Sequence, residues 1–309
     1  LQHWFQAPQS ELEPLFKQAR QITDEVLGHR ISLFTPGNRF PAISITGSLC
    51  KLNCQHCGGR YLRHMKSLTQ PDQLVSFCQN LAAHQGLGCL VSGGCDAHGC
   101  VPLLSFLPAL REIKQSTSLY INTHTGFLTN NDARQLADTD IDCASVDVVG
   151  DNDTIHKVYG LTGRTTHDYR TTLQALKLNN IAVSPHICVG LHFGKLAGEL
   201  NALKIIQETI DPSVIVIIAL VPSQKTAMER TLPPSNYDIA RICAIARVMF
   251  PKTEIALGCM RPRGKVRREM EQLAIKAGVT RIAVPTQTTL KYLKDKSYKI
   301  TVNHTCCVV

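Results

Sequence analysis

Eight short apolar runs alternate along the chain with amphipathic stretches of helical length. Several runs, such as residues 214–220, are apolar without interruption. Such runs are typical of parallel strands covered on both faces, and a helix-length crossover between two of them makes a βα unit. Eight units predict an α/β fold, a single (β/α)8 or TIM barrel, with an open doubly wound sheet as the alternative. The predicted strands cover residues 42–46, 88–92, 119–123, 142–148, 182–189, 214–220, 254–257 and 281–284.

A helical extension and a tail flank the predicted barrel. Residues 10–27 show helical spacing after Ser10, a residue type that caps helix N-termini. The segment after about residue 286 is basic and ends in Thr305-Cys-Cys-Val-Val309. We therefore predict an N-terminal helical extension over residues 1–38, one barrel domain over residues 39–286, and a tail over residues 287–309 that closes or flanks the barrel.

The composition is that of a folded chain without membrane spans. Of 309 residues, 44% are hydrophobic and 18% are charged, which suffices for a large core. No window approaches the roughly 18 uninterrupted apolar residues of a transmembrane helix. The first residues lack the basic-then-apolar order of a signal peptide. The sequence therefore predicts a cytoplasmic protein.

The net charge of +9 is concentrated late in the sequence, in residues 261–268 and in the lysines from Lys291 to Lys299. A basic surface of this kind either is simply solvated or binds an acidic protein partner or an anionic substrate. Aromatic residues make up 6% of the chain, which disfavours a surface that stacks nucleic-acid bases.

Three of the thirteen cysteines are crowded into the loop after the first predicted strand, as Cys50-x3-Cys54-x2-Cys57. Thiolates are soft ligands that suit iron–sulfur clusters and zinc. A structural zinc site needs four ligands, whereas three thiolates leave one iron of a 4Fe–4S cluster open for a reactant. The spacing therefore favours a catalytic 4Fe–4S cluster, and a binding module with zinc or an inert cluster is an alternative.

This cysteine motif resembles the signature of the radical S-adenosylmethionine superfamily. The resemblance implies that S-adenosylmethionine chelates the open iron and is cleaved to a 5′-deoxyadenosyl radical, which abstracts hydrogen from the substrate. His56 stands before the third cysteine, where the family has an aromatic or apolar residue near the cofactor.

Further residues resemble the biotin synthase-like group, and this resemblance extends over residues 40–285. A glycine-rich turn after the second predicted strand is expected to bind the methionyl group. Polar residues at the end of the fourth predicted strand are expected to bind the ribose, and a turn after the fifth predicted strand is expected to bind the adenine. An arginine segment follows the fourth strand. For Asp147 the alternative is a buried ion pair with one of those arginines. The implied cofactor residues are Ser92, Gly93, Gly94, Ser145, Asp147, Arg164, Arg170 and Gly190.

Residues 41–47 and 57–65 resemble more closely a subgroup that forms one half of the archaeal-type, two-protein lipoyl synthase. This resemblance implies sulfur insertion at C–H bonds of octanoyl-lysine on an acidic lipoyl carrier domain. It also implies a second radical S-adenosylmethionine subunit and a ferredoxin- or flavodoxin-type reductant. Residues 261–268 are then the expected docking surface for the carrier.

Sulfur-inserting members hold a second, sacrificial iron–sulfur cluster. By resemblance its ligands here would be Cys95, Cys188 and Cys259 at strand ends, with His124 in the region of a missing cysteine. The alternative is that these thiols only pack, because free cysteine behaves as a small hydrophobic residue. Cys100, Cys306 and Cys307 could complete a ligand set, and Cys78, Cys89, Cys143 and Cys243 are assigned to packing. Without a second cluster, the chain would instead catalyse a radical rearrangement or C–C cleavage of a free small molecule.

Overall fold

The computed structural model describes residues 1–264 and 266–309. Its eleven strands are β1 (Arg30–Phe34), β2 (Ala42–Ser44), β3 (Lys66–Ser67), β4 (Gly88–Ser92), β5 (Tyr120–His124), β6 (Cys143–Asp147), β7 (Val183–Val189), β8 (Val214–Ala219), β9 (Glu254–Leu257), β10 (Arg281–Ala283) and β11 (Lys299–Asn303). Its α-helices are α1 (Gln2–Gln6), α2 (Glu13–Val26), α3 (Pro71–Ala83), α4 (Leu107–Ser116), α5 (Asn130–Ala137), α6 (Asn152–Tyr159), α7 (Thr166–Leu178), α8 (Glu199–Thr209), α9 (Asn236–Met249), α10 (Val266–Lys276) and α11 (Gln287–Asp295).

The strands form one parallel sheet in the order β11-β1-β10-β9-β8-β7-β6-β5-β4-β2-β3. The eight predicted strands are β2 and β4–β10, and they are neighbours in chain order, which confirms the predicted α/β barrel class. The sheet is a half-barrel rather than the closed ring that we expected. Its closure is altered because β1 pairs with β10, through Ser32–Phe34 against Arg281–Ala283, and occupies the edge that β2 would need.

The segments that flank the barrel strands also add to the sheet. Strand β1 lies within the predicted helical extension, and the predicted tail contains α11 and β11. Strand β11 pairs along the whole of β1, from Arg30 opposite Lys299 to Phe34 opposite Asn303. Both ends of the chain therefore contribute to one side of the half-barrel.

Helices cover the outer face of the sheet, and side chains alternate between its two faces. Val91, Ile121, Val146, Ile187 and Ile217 belong to the large core between strands and helices. Helices α5 and α7 begin with a capping box that satisfies free backbone N–H groups, formed by Thr129 with Asp132 and by Thr165 with Asp168. In the part of the chain that the structure describes, no helix is long and apolar enough to cross a membrane.

The inner face of the half-barrel has a polar and an apolar half. Strands β4–β7 alternate so that Ser92, Asn122, His124, Ser145 and His186 share the inner face, opposite the residues of the outer core. On the other half, inner residues of β1 and β8–β10 form a separate buried cluster with two residues from the end of the chain. That cluster consists of Phe34, Val214, Val216, Ala256, Ala283, Cys307 and Val308.

Candidate active site

The three-cysteine motif lies in the loop that leaves β2 at the carboxyl end of the strands. Ligand atoms of Cys54, His56 and Cys57 all lie within 4.8 Å of one another. A tight turn brings them together, because the N–H groups of Cys57 and Gly58 both donate to the carbonyl oxygen of Cys54, at 3.1 and 2.9 Å. Cys50 precedes this turn and is partly exposed. The loop thus presents thiols at the barrel mouth.

The glycine-rich turn after β4 packs directly against this loop. A Cβ atom at Gly94 would lie 2.0 Å from the carbonyl oxygen of Leu49 and 2.6 Å from the Cα of Cys50. Thr46 links the two segments, since its hydroxyl accepts from the Gly94 N–H at 2.7 Å and donates to the Leu49 carbonyl at 2.9 Å. The sequence offered no signal for Thr46, whose role depends on a contact between distant segments.

The thiols of the motif perturb one another electrostatically. The Cys54 thiol donates a hydrogen bond that lowers the pKa of Cys57 to about 7, while the same bond and burial raise the pKa of Cys54. A thiol with this pKa is readily deprotonated and available as a ligand.

His56 is held in an apolar setting beside these thiols. Burial lowers the pKa of His56 to about 4, and its ring meets Tyr159 edge to face at 5.4 Å. Among the described residues its buried Nδ1 has no hydrogen-bond partner. A buried nitrogen without a partner is costly, so a bound molecule is expected to satisfy it. The soft donor set and this nitrogen together fit a 4Fe–4S cluster with an organic cofactor beside it.

The predicted ribose residues lie at the end of β6, next to the motif. Ser145 is 1% exposed and donates to the side-chain oxygen of Asn122 at 3.0 Å. Asp147 is exposed, and within residues 1–264 and 266–309 its carboxylate makes no ion pair. The alternative of a buried pair with an arginine is not found, because Arg164 pairs with Asp168 at 2.9 Å and Arg170 with Glu208 at 2.6 Å.

The two arginines of the predicted cofactor segment are engaged elsewhere. Arg164 donates to the carbonyl of His98 at 3.2 Å and lies 4.8 Å above the ring of Phe127, which connects the loop after β4 to α7. Arg170 pairs with a residue of α8 in the helical layer. Their predicted role at the cofactor remains a prediction.

The turn at Gly190 is held by Glu199, an acidic residue that the sequence predicts on the solvent face of a helix. Gly190 has a φ of +72°, and a Cβ there would lie 2.8 Å from Pro234. Its N–H donates to the buried carboxylate of Glu199 at 2.8 Å, and the Ala197 N–H donates to the other carboxylate oxygen at 2.8 Å. Glu199 therefore shapes this turn, whereas its position in an amphipathic helix gave no sign of burial.

The three cysteines expected to hold a second cluster do not form one ligand group in the described structure. Burial and the nearby Cys50 raise the pKa of Cys95 to about 12, which associates Cys95 with the first motif. Burial and Asp147 raise the pKa of Cys188. Cys259 is exposed at the mouth, and desolvation together with the neighbouring Cys306 raises its pKa.

The cysteines assigned to packing are all buried. The sulfur atoms of Cys78 and Cys89 are 3.9 Å apart between α3 and β4, and Cys243 lies within α9. Cys143 faces inward, with its sulfur 3.2 Å from the hydroxyl of Ser184.

The basic segment of residues 261–268 is only partly available as a surface. Arg261 is 2% exposed and donates to Glu271 at 2.6 Å and to the Ala283 carbonyl at 2.8 Å, so its side chain is not available for docking. Arg267 also pairs with Glu271, at 3.0 Å. Arg263 and Arg268 are exposed, and Lys265 lies outside the described residues.

Comparisons with known proteins agree with this geometry. Residues 44–194 match the family described as the radical SAM superfamily. Biotin synthase of Buchnera aphidicola subsp. Acyrthosiphon pisum is 27% identical over 249 residues, covering 78% of this chain and 70% of that protein. Biotin synthase of Syntrophotalea carbinolica is 26% identical over 215 residues, covering 67% and 64%.

Two solved structures share the fold. Methylornithine synthase (PylB) has a TM-score of 0.67 at 17% identity, covering 94% of this chain and 89% of that one. The FeFe-hydrogenase maturase HydG from Carboxydothermus hydrogenoformans has a TM-score of 0.69 at 17% identity, covering 96% and 74%. The family implies a 4Fe–4S cluster and S-adenosylmethionine as cofactors, which the donor set of the cysteine loop fits.

Proposed function

We propose that the chain is a radical S-adenosylmethionine enzyme that inserts sulfur into C–H bonds of octanoyl-lysine, as one part of a two-protein lipoyl synthase. The match of residues 44–194 to the radical SAM superfamily supports the radical chemistry. The similarity to biotin synthases supports sulfur insertion. The observation that carries the proposal is the presence of further thiols in the half-barrel: Cys307 is buried in the inner apolar cluster, Cys306 packs against it, and Cys306 is near enough to Cys259 to raise its pKa. In the described residues these three thiols do not form one ligand group.

Different residues at the barrel mouth would bind the cluster and S-adenosylmethionine. When bound, the cluster supplies the electron that cleaves S-adenosylmethionine to a 5′-deoxyadenosyl radical. Cys50, Cys54 and Cys57 would hold it, and the close packing of Gly94 keeps Cys50 against the turn after β4. The exposed Asp147 would accept hydrogen bonds from the ribose hydroxyls, and the unpartnered Nδ1 of His56 would bond the same cofactor.

Sulfur insertion also requires a source of sulfur close to the radical. Cys95, Cys188 and Cys259 were the ligands that the resemblance implied. Cys306 and Cys307 are the candidates to complete a ligand set with Cys259, because Cys306 raises the pKa of Cys259 and Cys307 packs on the inner apolar half. In the described residues these three thiols are not assembled into one ligand group either. Cys95 lies with the first motif instead.

The partners follow from the same proposal. An acidic lipoyl carrier would dock on the exposed Arg263 and Arg268, a second radical S-adenosylmethionine subunit would share the reaction, and a cytoplasmic ferredoxin or flavodoxin would supply electrons.

The test is turnover of an octanoyl-lysine peptide by the anaerobically reconstituted chain with S-adenosylmethionine and dithionite, with and without a candidate second subunit. We expect 5′-deoxyadenosine and a thiolated peptide by mass spectrometry. Cys54→Ser should lose both products. Cys259→Ser should lose the thiolated peptide and keep 5′-deoxyadenosine. Abundant 5′-deoxyadenosine without sulfur in the peptide, in the presence of the second subunit, would contradict the proposal.

A second candidate is a radical rearrangement or C–C cleavage of a free small molecule. The observation that favours it is that Cys95, Cys188 and Cys259 do not form one ligand group in the described residues. Iron content separates the candidates after anaerobic reconstitution of Cys50→Ala/Cys54→Ala/Cys57→Ala. A retained cluster supports sulfur insertion, and complete loss of iron supports rearrangement.

A further inference from the structure

Four exposed large apolar side chains lie on successive loops at one side of the barrel mouth. In the part of the chain that the structure describes they are Phe193 after β7, Leu232 after β8, Val266 after β9 and Val284 after β10, with exposed fractions of 37%, 82%, 47% and 42%. Single exposed apolar residues are common on protein surfaces, but several on one patch mark a contact with another molecule. These four residues are called the apolar rim below.

Direct contacts hold the loops of the apolar rim together. A Cβ at Gly194 would lie 2.1 Å from the carbonyl oxygen of Leu232, so the turn after β7 packs against the loop after β8. At the start of α9, the side-chain amide of Asn236 donates to the carbonyl of Val266 at 3.2 Å. The next residue of α10 donates through its guanidinium to the carbonyl of Val284. The apolar rim is therefore one connected surface rather than four scattered residues.

The border of the apolar rim is basic. The same segments carry two exposed acidic residues, Glu229 and Glu269. They carry five exposed cations, which are Lys195, Lys225, Arg230, Arg263 and Arg268. An apolar centre with a polar border is the usual anatomy of a protein interface, and the sign of the border favours an acidic partner.

Charge and location decide between possible occupants. A second copy of the chain would bring the same basic border and a net charge of +9, so the two copies would repel each other. Aliphatic side chains such as Leu232 do not stack nucleic-acid bases. Phe193 lies in the turn that begins at Gly190, at the carboxyl end of β7 and so at the barrel mouth. An acidic domain seated on the apolar rim would therefore hold an attached side chain at the entrance of the half-barrel.

We propose that the apolar rim anchors an acidic carrier domain, whose own apolar side chains pack on Leu232 and Val266. The inference rests on the proposed function, in which such a domain presents octanoyl-lysine. It adds a second component to the charges of Arg263 and Arg268. Exposed charges at a border mainly speed the encounter of two proteins, whereas apolar area buried at the centre slows their dissociation.

The test is the affinity of an isolated, octanoylated lipoyl carrier domain for the anaerobically reconstituted chain with S-adenosylmethionine, measured by calorimetry. Leu232→Ser with Val266→Ser should weaken binding at least about tenfold, because two side chains that the complex buries are lost. The loss should persist at high salt, since ions do not screen apolar burial, whereas the effect of Arg263→Glu with Arg268→Glu should shrink. The domain without its octanoyl group should show the same loss, because the apolar rim contacts the domain itself.

Leu178→Ser is the matched control, because Leu178 is 75% exposed at the end of α7 and lies outside the apolar rim. Carrier affinity should not change in this variant. Equal carrier affinity in the parent and in Leu232→Ser with Val266→Ser would overturn the inference, and so would the absence of measurable domain binding to the parent. Binding to anionic lipid vesicles, or self-association in sedimentation, that the parent shows and the double variant loses would also overturn it.

This binding experiment is independent of catalysis. Turnover of an octanoyl-lysine peptide requires no carrier domain, so a peptide that stays unthiolated counts against the proposed function alone. Unchanged domain affinity in the double variant counts against the docking surface alone.

Discussion

Gly94 and Cys50 are in such close contact that there is no room for a side chain between them. A Cβ at position 94 would lie 2.6 Å from the Cα of Cys50 and 2.7 Å from its Cβ. Since Cys50 is the first ligand of the cysteine motif, this contact sets where the cluster loop lies relative to the turn after β4.

Gly94→Ala is therefore expected to displace the cluster loop. The nearest atoms, the Leu49 carbonyl oxygen and the Cys50 Cα, belong to the backbone and cannot rotate away. We therefore expect a destabilisation of about 1–3 kcal/mol and a clear loss of bound iron. Iron and sulfide are measured after anaerobic reconstitution. Gly163→Ala is the control, because a Cβ at Gly163 meets nothing within 4 Å. Normal iron content in Gly94→Ala would refute the positional role of this contact.

Thr46 should hold the same two segments together through its hydroxyl. Thr46→Val removes one acceptor and one donor at a partly exposed site, and we expect a loss of about 0.5–1.5 kcal/mol in the free energy of unfolding. Thr46→Ser keeps the hydroxyl and should recover most of this loss. Chemical denaturation of the parent protein and the two variants provides the measurement. Equal stability of the valine and serine variants would contradict the role of the Thr46 hydroxyl.

Glu271 should make stability depend on pH. Burial raises the pKa of Glu271, but hydrogen bonds from Thr289 and Thr286 and the pair with Arg261 outweigh burial, so the pKa is lowered on folding. A lowered pKa means that the carboxylate stabilises the fold fully above its unfolded pKa. This stabilisation is then lost as the pH falls through the folded pKa.

Glu271→Gln should remove that acid-side dependence and cost about 3–5 kcal/mol, because Arg261 would remain buried without its charge partner. Urea unfolding between pH 7 and the acid limit measures both effects. Glu208→Gln breaks an exposed pair with Arg170 and should change stability by less than about 1 kcal/mol. A pH profile of Glu271→Gln that parallels the parent would show that Glu271 does not carry the effect.

The exposed arginines after β9 should govern carrier docking. Arg263→Glu with Arg268→Glu is expected to weaken binding of an acidic lipoyl carrier domain about tenfold or more at low salt, with less effect at high salt because ions screen such contacts. Cleavage of S-adenosylmethionine should not change. Lys17→Glu on α2 is the control. Unaltered carrier affinity in the double variant at low salt would show that this surface is merely solvated.

The sequence predicted those parts of the fold that have a local signature. Uninterrupted apolar runs such as residues 214–220 identified the central strands, because both of their faces are covered. Strands β1 and β11 were not predicted, since Arg30, Ser32 and Lys299 interrupt them and β11 lies at an exposed edge. Their pairing joins the two ends of the chain, which a local pattern does not reveal.

In the candidate site, too, features with a local sequence signature were predicted and features that depend on distant contacts were not. The spacing of Cys50, Cys54 and Cys57 identified the motif, because consecutive ligands are encoded within one loop. The burial of Arg261 was missed, since its neighbours in sequence are basic and its partner Glu271 lies ten residues on. A run of positive charges in a sequence does not indicate which of its members has a buried partner.

The shared carboxylate of Glu271 also has a dynamic consequence. Arg261 follows β9, while Thr286 and Thr289 lie at the start of α11, and all three donate to this one side chain. Neither loop can move outward without breaking bonds that position the other. In native-state hydrogen exchange the two loops should therefore open as a single cooperative unit rather than fray independently.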